Sequence, residues 1–216
     1  MKKYLFILVA LLIGVAAMAQ EADEVKESWQ KTIAVPTSEA PLIEKLFTAW
    51  GSEFPGKYVE AFNNFKRAGD AGYIEIYEDF YVDFMVDFAP KKGYIEIDGS
   101  YTISIPVEGN AEYTEDIKKT HLLTAVYWNL KNGNKLFAIS INDDGEIFPE
   151  CALAFYEYDA NKGTLTPRPE TTQKVFDIID DDEDTFVILP KEGKDLKYYD
   201  FRTEKEMTIK WNGNGF

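Results

Sequence analysis

Two periods organise the hydrophobic positions of this chain, and they change over near residue 71. Before it, Leu42, Leu46 and Trp50, with Ile43 and Phe47 beside them, recur every three or four residues, the spacing of a helix that buries one stripe. Ser38 reads as its N-cap, Glu39 and Pro41 suit the first turn, and Gly51 marks the stop. A second short helix is predicted from Pro55, with Tyr58, Val59, Phe62 and Phe65 on one face and Gly69 closing it. Both stripes are expected to pack on the sheet that follows.

From Gly72 the period becomes two, the mark of a strand with one buried face. Residues 73–77, 80–88 and 94–98 alternate, and Pro90-Lys91-Lys92-Gly93 turns the last two into a hairpin. Residues 100–107 make another strand, and 108–119 read as a polar connection with a helical turn. The Asn132-Gly133 step joins strands at 122–130 and 135–142. Further strands are expected at 152–158, 164–166, 175–179, 186–189, 196–201 and 206–211. A weak echo relates 137–166 to 186–209, each copy having about the length of a propeller blade. A closed propeller takes at least four blades of about 40 residues, which the stretch 72–216 is too short to supply. The expected fold is therefore α+β: two short N-terminal helices packed on a mainly antiparallel β-meander, as a curved sheet or small sandwich, with two weak blade-like repeats.

The first nineteen residues follow a different rule. Lys2 and Lys3 precede an uncharged apolar run from 4 to 17, and Ala17-Met18-Ala19 offers small residues ahead of Gln20. This is the pattern of a cleavable signal peptide, with Ala17 and Ala19 at the recognition positions and Gln20 as the new N-terminus. A run of that length is shorter than the roughly 20 residues a membrane-crossing helix needs. Gln20 stands where a lipoprotein would carry cysteine, so a lipid anchor is not expected. The expected organisation is a signal at 1–19, a flexible lead-in at 20–37, helices at 38–70 and an antiparallel β domain at 71–216, with 38–216 as one globular unit. Export to the periplasm or the extracellular space follows.

Charge narrows the partners. The chain carries −15 overall, and −17 once Lys2 and Lys3 leave with the signal. Such a surface repels phosphate backbones and anionic lipid, which argues against nucleic acid and membrane-surface partners. It leaves a basic protein or a neutral glycan. Cys151 is the only cysteine, so no internal disulfide forms and the fold rests on its core.

Catalytic chemistry finds little footing. Residues 140–145 have an oxygen-rich calcium-loop look, but Ser140 replaces the first ligand and Cys151 the twelfth, which leaves an ordinary turn. The run Asp180 to Asp184 reads as a solvated acidic loop. His121 is the only histidine, at a strand start where a structural role is expected, and nothing local pairs it with Cys151. No Gly-x-Ser-x-Gly turn or phosphate-cradling glycine motif occurs. Neither a metal nor a cofactor is expected. The remaining enzyme class is carboxylate-pair hydrolysis, for which no pair stands out among 38 acids. Trp128, Tyr156, Tyr158, Tyr199 and Trp211 are candidate stacking platforms for a ligand, weighed against ordinary packing within strands. The leading expectation is a non-catalytic exported module that binds a protein or glycan. A glycosidase-like hydrolase and an envelope-associated structural accessory are the alternatives.

Overall fold

The computed structural model describes residues 29–77, 80–107, 110–144, 149–179, 185–200 and 203–216. The expected signal with Ala17, Ala19 and Gln20, the lead-in up to residue 28, Gly145 and the acidic run 180–184 lie outside the described residues. The chain divides into two compact units, 1–31 and 32–216, and every element below belongs to the second.

The change of period near residue 71 becomes a change from helix to sheet. Helices α1 (Leu42–Glu53) and α2 (Lys57–Ala68) come first, and a run of antiparallel strands follows. Ser38 does not cap α1. Pro41 occupies the cap position with an extended backbone (ψ 145°), and its ring disfavours helical geometry in Ala40 before it, so the helix does not reach back to Ser38. Gly51 does not end α1 either. It lies inside the helix, where a Cβ would sit 2.9 Å from both Cγ atoms of Val59 on α2. The missing side chain is what lets the two helices cross so closely. Gly69 closes α2 as expected, in the left-handed region at φ 81°, with its N–H donating to the Phe65 carbonyl at 2.8 Å.

Strands β1 (Ile33–Ala34), β2 (Gly72–Tyr77), β3 (Phe80–Ala89), β4 (Tyr94–Asp98), β7 (His121–Asn129), β8 (Lys135–Asp144), β9 (Pro149–Asp159) and β10 (Thr164–Pro167) form one sheet. Its order is β1-β10-β9-β8-β7-β4-β3-β2, and each neighbouring pair is antiparallel. The expected meander is present, with one excursion. Between β4 and β7 the chain makes a separate two-stranded ribbon, β5 (Tyr101–Val107) and β6 (Asn110–Lys119). Residues 110–119 are thus a strand and not the expected helical connection. Backbone pairing with β5 organises a segment whose side chains carry little apolar signal.

The second correction concerns residues 175–179. They end helix α3 (Pro169–Ile179), although Val-Phe-Asp-Ile-Ile has strand-like composition. Proline at its first position and buried Thr171, Val175 and Ile179 at four-residue spacing give the helix its start and its apolar stripe. Strands β11 (Thr185–Ile188), β12 (Leu196–Asp200) and β13 (Lys205–Ile209) then form a separate three-stranded sheet. Both copies of the sequence echo are three-stranded meanders. The first, β8-β9-β10, is part of the large sheet, whereas the second stands alone.

Register sorts the side chains of the large sheet onto two faces. Ile95, Ile97, Leu123, Ala125, Ile139 and Tyr156 point to one face, where Ile43, Leu46 and Phe47 of α1 and Phe62 of α2 complete the core. Phe47 and Phe62 meet edge to face at 5.0 Å. On the other face, Tyr94, Val126, Trp128, Leu136, Ala138 and Phe155 pack with Val175 of α3, Val187, Leu196 and Ile209 of the small sheet. Among the described residues no helix is long and apolar enough to cross a membrane.

The close crossing of α1 and α2 is testable. Gly51→Ala is expected to lower stability by about 1–3 kcal/mol through overpacking. In a Val59→Ala background most of that loss should disappear, as measured by denaturant unfolding of the four proteins of a double-mutant cycle.

Candidate functional site

The five aromatic candidates do not form one surface. Trp128 (4 % exposed) and Tyr156 (0 %) are core residues, on opposite faces of the large sheet. Trp128 stacks on half-buried Trp211 at 5.6 Å and 17°, and the Phe216 ring meets it edge-on at 5.4 Å. Tyr156 packs beside Phe137 at 6.4 Å, and burial pushes its phenol far above the usual range. Half-buried Tyr158 lies opposite Lys135 and Leu165, while half-buried Tyr199 lies on the small sheet opposite Phe186 and Glu206. Only Trp128 and Trp211 are brought together, and what they build is part of a core.

A different surface gathers exposed aromatic and acidic groups. The small sheet and α3 cover the large sheet over β7, β8 and β9, and among the described residues no element packs on the same face of β2 and β3. Tyr73 (72 % exposed), Tyr81 (54 %) and Met85 (67 %) stand there with exposed Glu75 and Asp83. Pairing places Tyr73 across from Asp83 and Glu75 across from Tyr81, so an aromatic ring and a carboxylate alternate over two strands. Asp87, Glu96 and Asp98 continue the face onto β4. The Tyr94 hydroxyl donates to Glu96 at 2.5 Å, and burial followed by that bond and the charge of Glu96 raises the Tyr94 pKa. Lys191, in the loop after β11, pairs with Asp87 and marks where the cover stops. The signal for this surface is present in residues 80–88. Phe80, Val82, Phe84, Val86 and Phe88 take the inward parity, while Tyr81 and Met85 share the outward parity with Asp83 and Asp87.

The second grouping lies at the far end of β7, on the helix side. His121 and Asp143 are cross-strand partners, and Nδ1 of the imidazole lies 2.5 Å from Oδ1 of the carboxylate. Lys57 Nζ lies 3.2 Å from the same Nδ1. Lys57, the first residue of α2, donates to Asp143 Oδ2 at 2.6 Å, and Tyr58 donates to the same oxygen at 3.0 Å. Tyr101 stacks on the imidazole at 5.6 Å and 26°. Burial alone would raise the Asp143 pKa, but the bonds and charges of His121 and Lys57 outweigh it and hold the carboxyl below its ordinary range. Burial, then the charge of Asp143 and the bond to it, push the Tyr58 phenol far up. The arrangement clamps the start of α2 to the ends of β7 and β8.

Among the described residues the other candidates of the sequence do not join this clamp. Cys151 lies opposite Asn142, on the face away from His121, so the two cannot pair through the sheet. Ser100 Oγ accepts from the backbone N–H of His121 at 3.4 Å. Ser140 and Asn142, two members of the calcium-like stretch, are buried and both donate to the Val187 carbonyl at 3.1 Å. They tie β8 to β11. Among the described residues no group of three or more His, Cys, Asp or Glu is placed to hold a metal ion. A small cleft between α1 and α2, lined by Phe47, Thr48, Gly51, Val59 and Asn63 among others, contains no carboxylate and offers no acid pair for hydrolysis.

Asp143→Asn is expected to destabilise the fold by about 2 kcal/mol at neutral pH, the scale of a lost hydrogen bond to a charged group. The folded Asp143 titrates below its unfolded value. Its contribution is therefore complete above the ordinary carboxylate range, about pH 4, and is lost as pH falls through the lower folded value. Unfolding measured from pH 7 down to acid should show the gap between wild type and Asp143→Asn narrowing below about pH 4.

Comparison with known proteins finds no matching family model, no matching curated protein and no matching solved structure.

Proposed function

We propose that the protein is an exported, non-catalytic binding module whose partner is a protein with a basic contact surface. The bare acidic and aromatic face of β2 and β3 carries this reading. Exposed tyrosine supplies contact area with modest loss of side-chain freedom and methionine adds an adaptable apolar contact, and tyrosine in particular is enriched where proteins meet. Glu75 and Asp83 set the sign of the field around those rings. With −15 on the whole chain, a cationic partner is steered in from a distance and a nucleic acid is repelled. A neutral glycan would use the rings and donate hydroxyl hydrogen bonds to the carboxylates, but it gains nothing from the net charge, which favours a cationic protein partner. Export rests on the leader read at residues 1–19.

Lysozyme and cytochrome c serve as cationic probes in titrations of the mature chain at low and at physiological salt. Binding is expected at low salt and should weaken as salt rises. Asp83→Asn on the bare face and Glu60→Gln, exposed on α2, change the net charge equally. Asp83→Asn should weaken binding several-fold more than Glu60→Gln. Tyr73→Ser with Tyr81→Ser should weaken it about tenfold, equivalent to about 1.4 kcal/mol, without any change in charge. Equal effects of the two charge substitutions, or no detectable binding to either probe at low salt, would overturn the reading.

A further inference from the structure

Strand β2 is the last strand of the large sheet, so its outer edge has no strand partner among the described residues. Natural sheets usually blunt such an edge with a very short strand, a proline, a lysine or a bulge. The opposite edge does so, since β1 is only two residues long. β2 has six residues and no proline or lysine. Its register shifts at Glu75/Tyr77 and Gly72 opens it in the left-handed region at φ 68°, while residues 73–75 keep a regular register with 81–83. Helix α2 packs on β2 from one side, burying Ile74, and the exposed Tyr73 and Glu75 stand on the other. The edge is thus long enough to pair, flanked on one side by a fixed helix and on the other by the acidic aromatic face.

Charge selects what can pair there. β2 contains Glu75 and no basic residue, Asp70 precedes it, and Glu78 and Asp79 follow it in sequence. A second copy of the chain would bring acid against acid, and like charges across strands are destabilising. A strand with cations at alternate positions would instead set one beside Glu75 and lay the stem of another along Tyr73 toward Asp83 on β3. We propose that β2 is a strand-addition edge that takes up an extended, lysine- or arginine-bearing segment of the partner. This rests on the basic partner proposed above and adds the mode of recognition: backbone pairing supplies register, and alternate side chains supply selectivity.

The test uses the whole mature protein and an eight-residue capped peptide alternating lysine and threonine. Two further peptides carry N-methyl groups on alternate amides, one set in each register. An added strand directs every second amide at the sheet edge. One methylated peptide is therefore expected to lose at least tenfold in affinity while the other stays within twofold of the parent. Equal binding of all three peptides would show docking through side chains alone and overturn strand addition, with the basic-partner reading intact. Strand addition is likewise overturned if cationic proteins bind and the peptide does not. Absence of binding by peptide and cationic proteins alike would overturn both. Concentration-dependent dimers in sedimentation that strengthen when Glu75→Lys copies are mixed with wild-type copies would replace the basic partner with a second copy.

Discussion

Everything in this fold hangs on the pairing of β7 with β8 and of β8 with β9. Those two ladders run through nine and ten residue pairs, and they fix the parity of every side chain at the centre of the sheet. A slip by one residue would exchange the two faces. With the parity fixed, Ile139 and Phe137 can only meet the helices, and Ala138, Ser140 and Asn142 can only meet the small sheet. Two covers are then required, because both faces of these central strands are apolar. The helical pair provides the first, and the second comes from α3 with β11, β12 and β13.

The two covers differ in reach, and the proposed binding surface is the difference between them. α1 and α2 extend to β2, as the burial of Ile74, Val82 and Phe84 shows. The second cover stops near Asp87 and Glu96, where Lys191 meets the sheet. Alternation in β2 and β3 answers to this arrangement. Their inward positions are as apolar as any core strand, and their outward positions mix acids with tyrosine and methionine instead of being uniformly polar. Large exposed apolar groups that share a patch call for an explanation, whereas single ones do not.

How much of this is legible in the sequence follows the distinction between local and distant causes. The two helices, the change of period and the Asn132-Gly133 hairpin are specified by neighbouring residues, and apart from both ends of α1 they stand where the sequence puts them. Residues 175–179 mislead because β-branched side chains suit a strand as well as a buried helical stripe, and the choice is made upstream by Pro169 and downstream by packing. β6 is hidden because its partner, not its own composition, makes it a strand. Gly51 resembles a stop, yet its cause is Val59 on another helix. The aromatic candidates mislead for the same reason. Trp128 and Tyr156 are conspicuous in sequence but lie beneath covers that only the assembled chain reveals. His121, which has no local companions, gathers Lys57, Tyr58 and Asp143 from segments far apart in the chain.

The ribbon of β5 and β6 has a consequence of its own. The chain leaves the sheet after Asp98 and re-enters at His121, and Asp98 lies directly opposite Leu122 in the pairing of β4 with β7. The Gly99 amide donates to the His121 carbonyl at 2.8 Å, which closes the neck of the excursion. The sheet would therefore be continuous with the ribbon left out, β4 turning straight into β7. Such a segment is free to lengthen, shorten or change its sequence without altering any register in the sheet. It is anchored at the base, where Tyr101 rests on His121 and His121 holds Asp143 and, through it, the head of α2. The fold thus combines a platform of fixed geometry with an appendage that descent can rewrite at little structural cost.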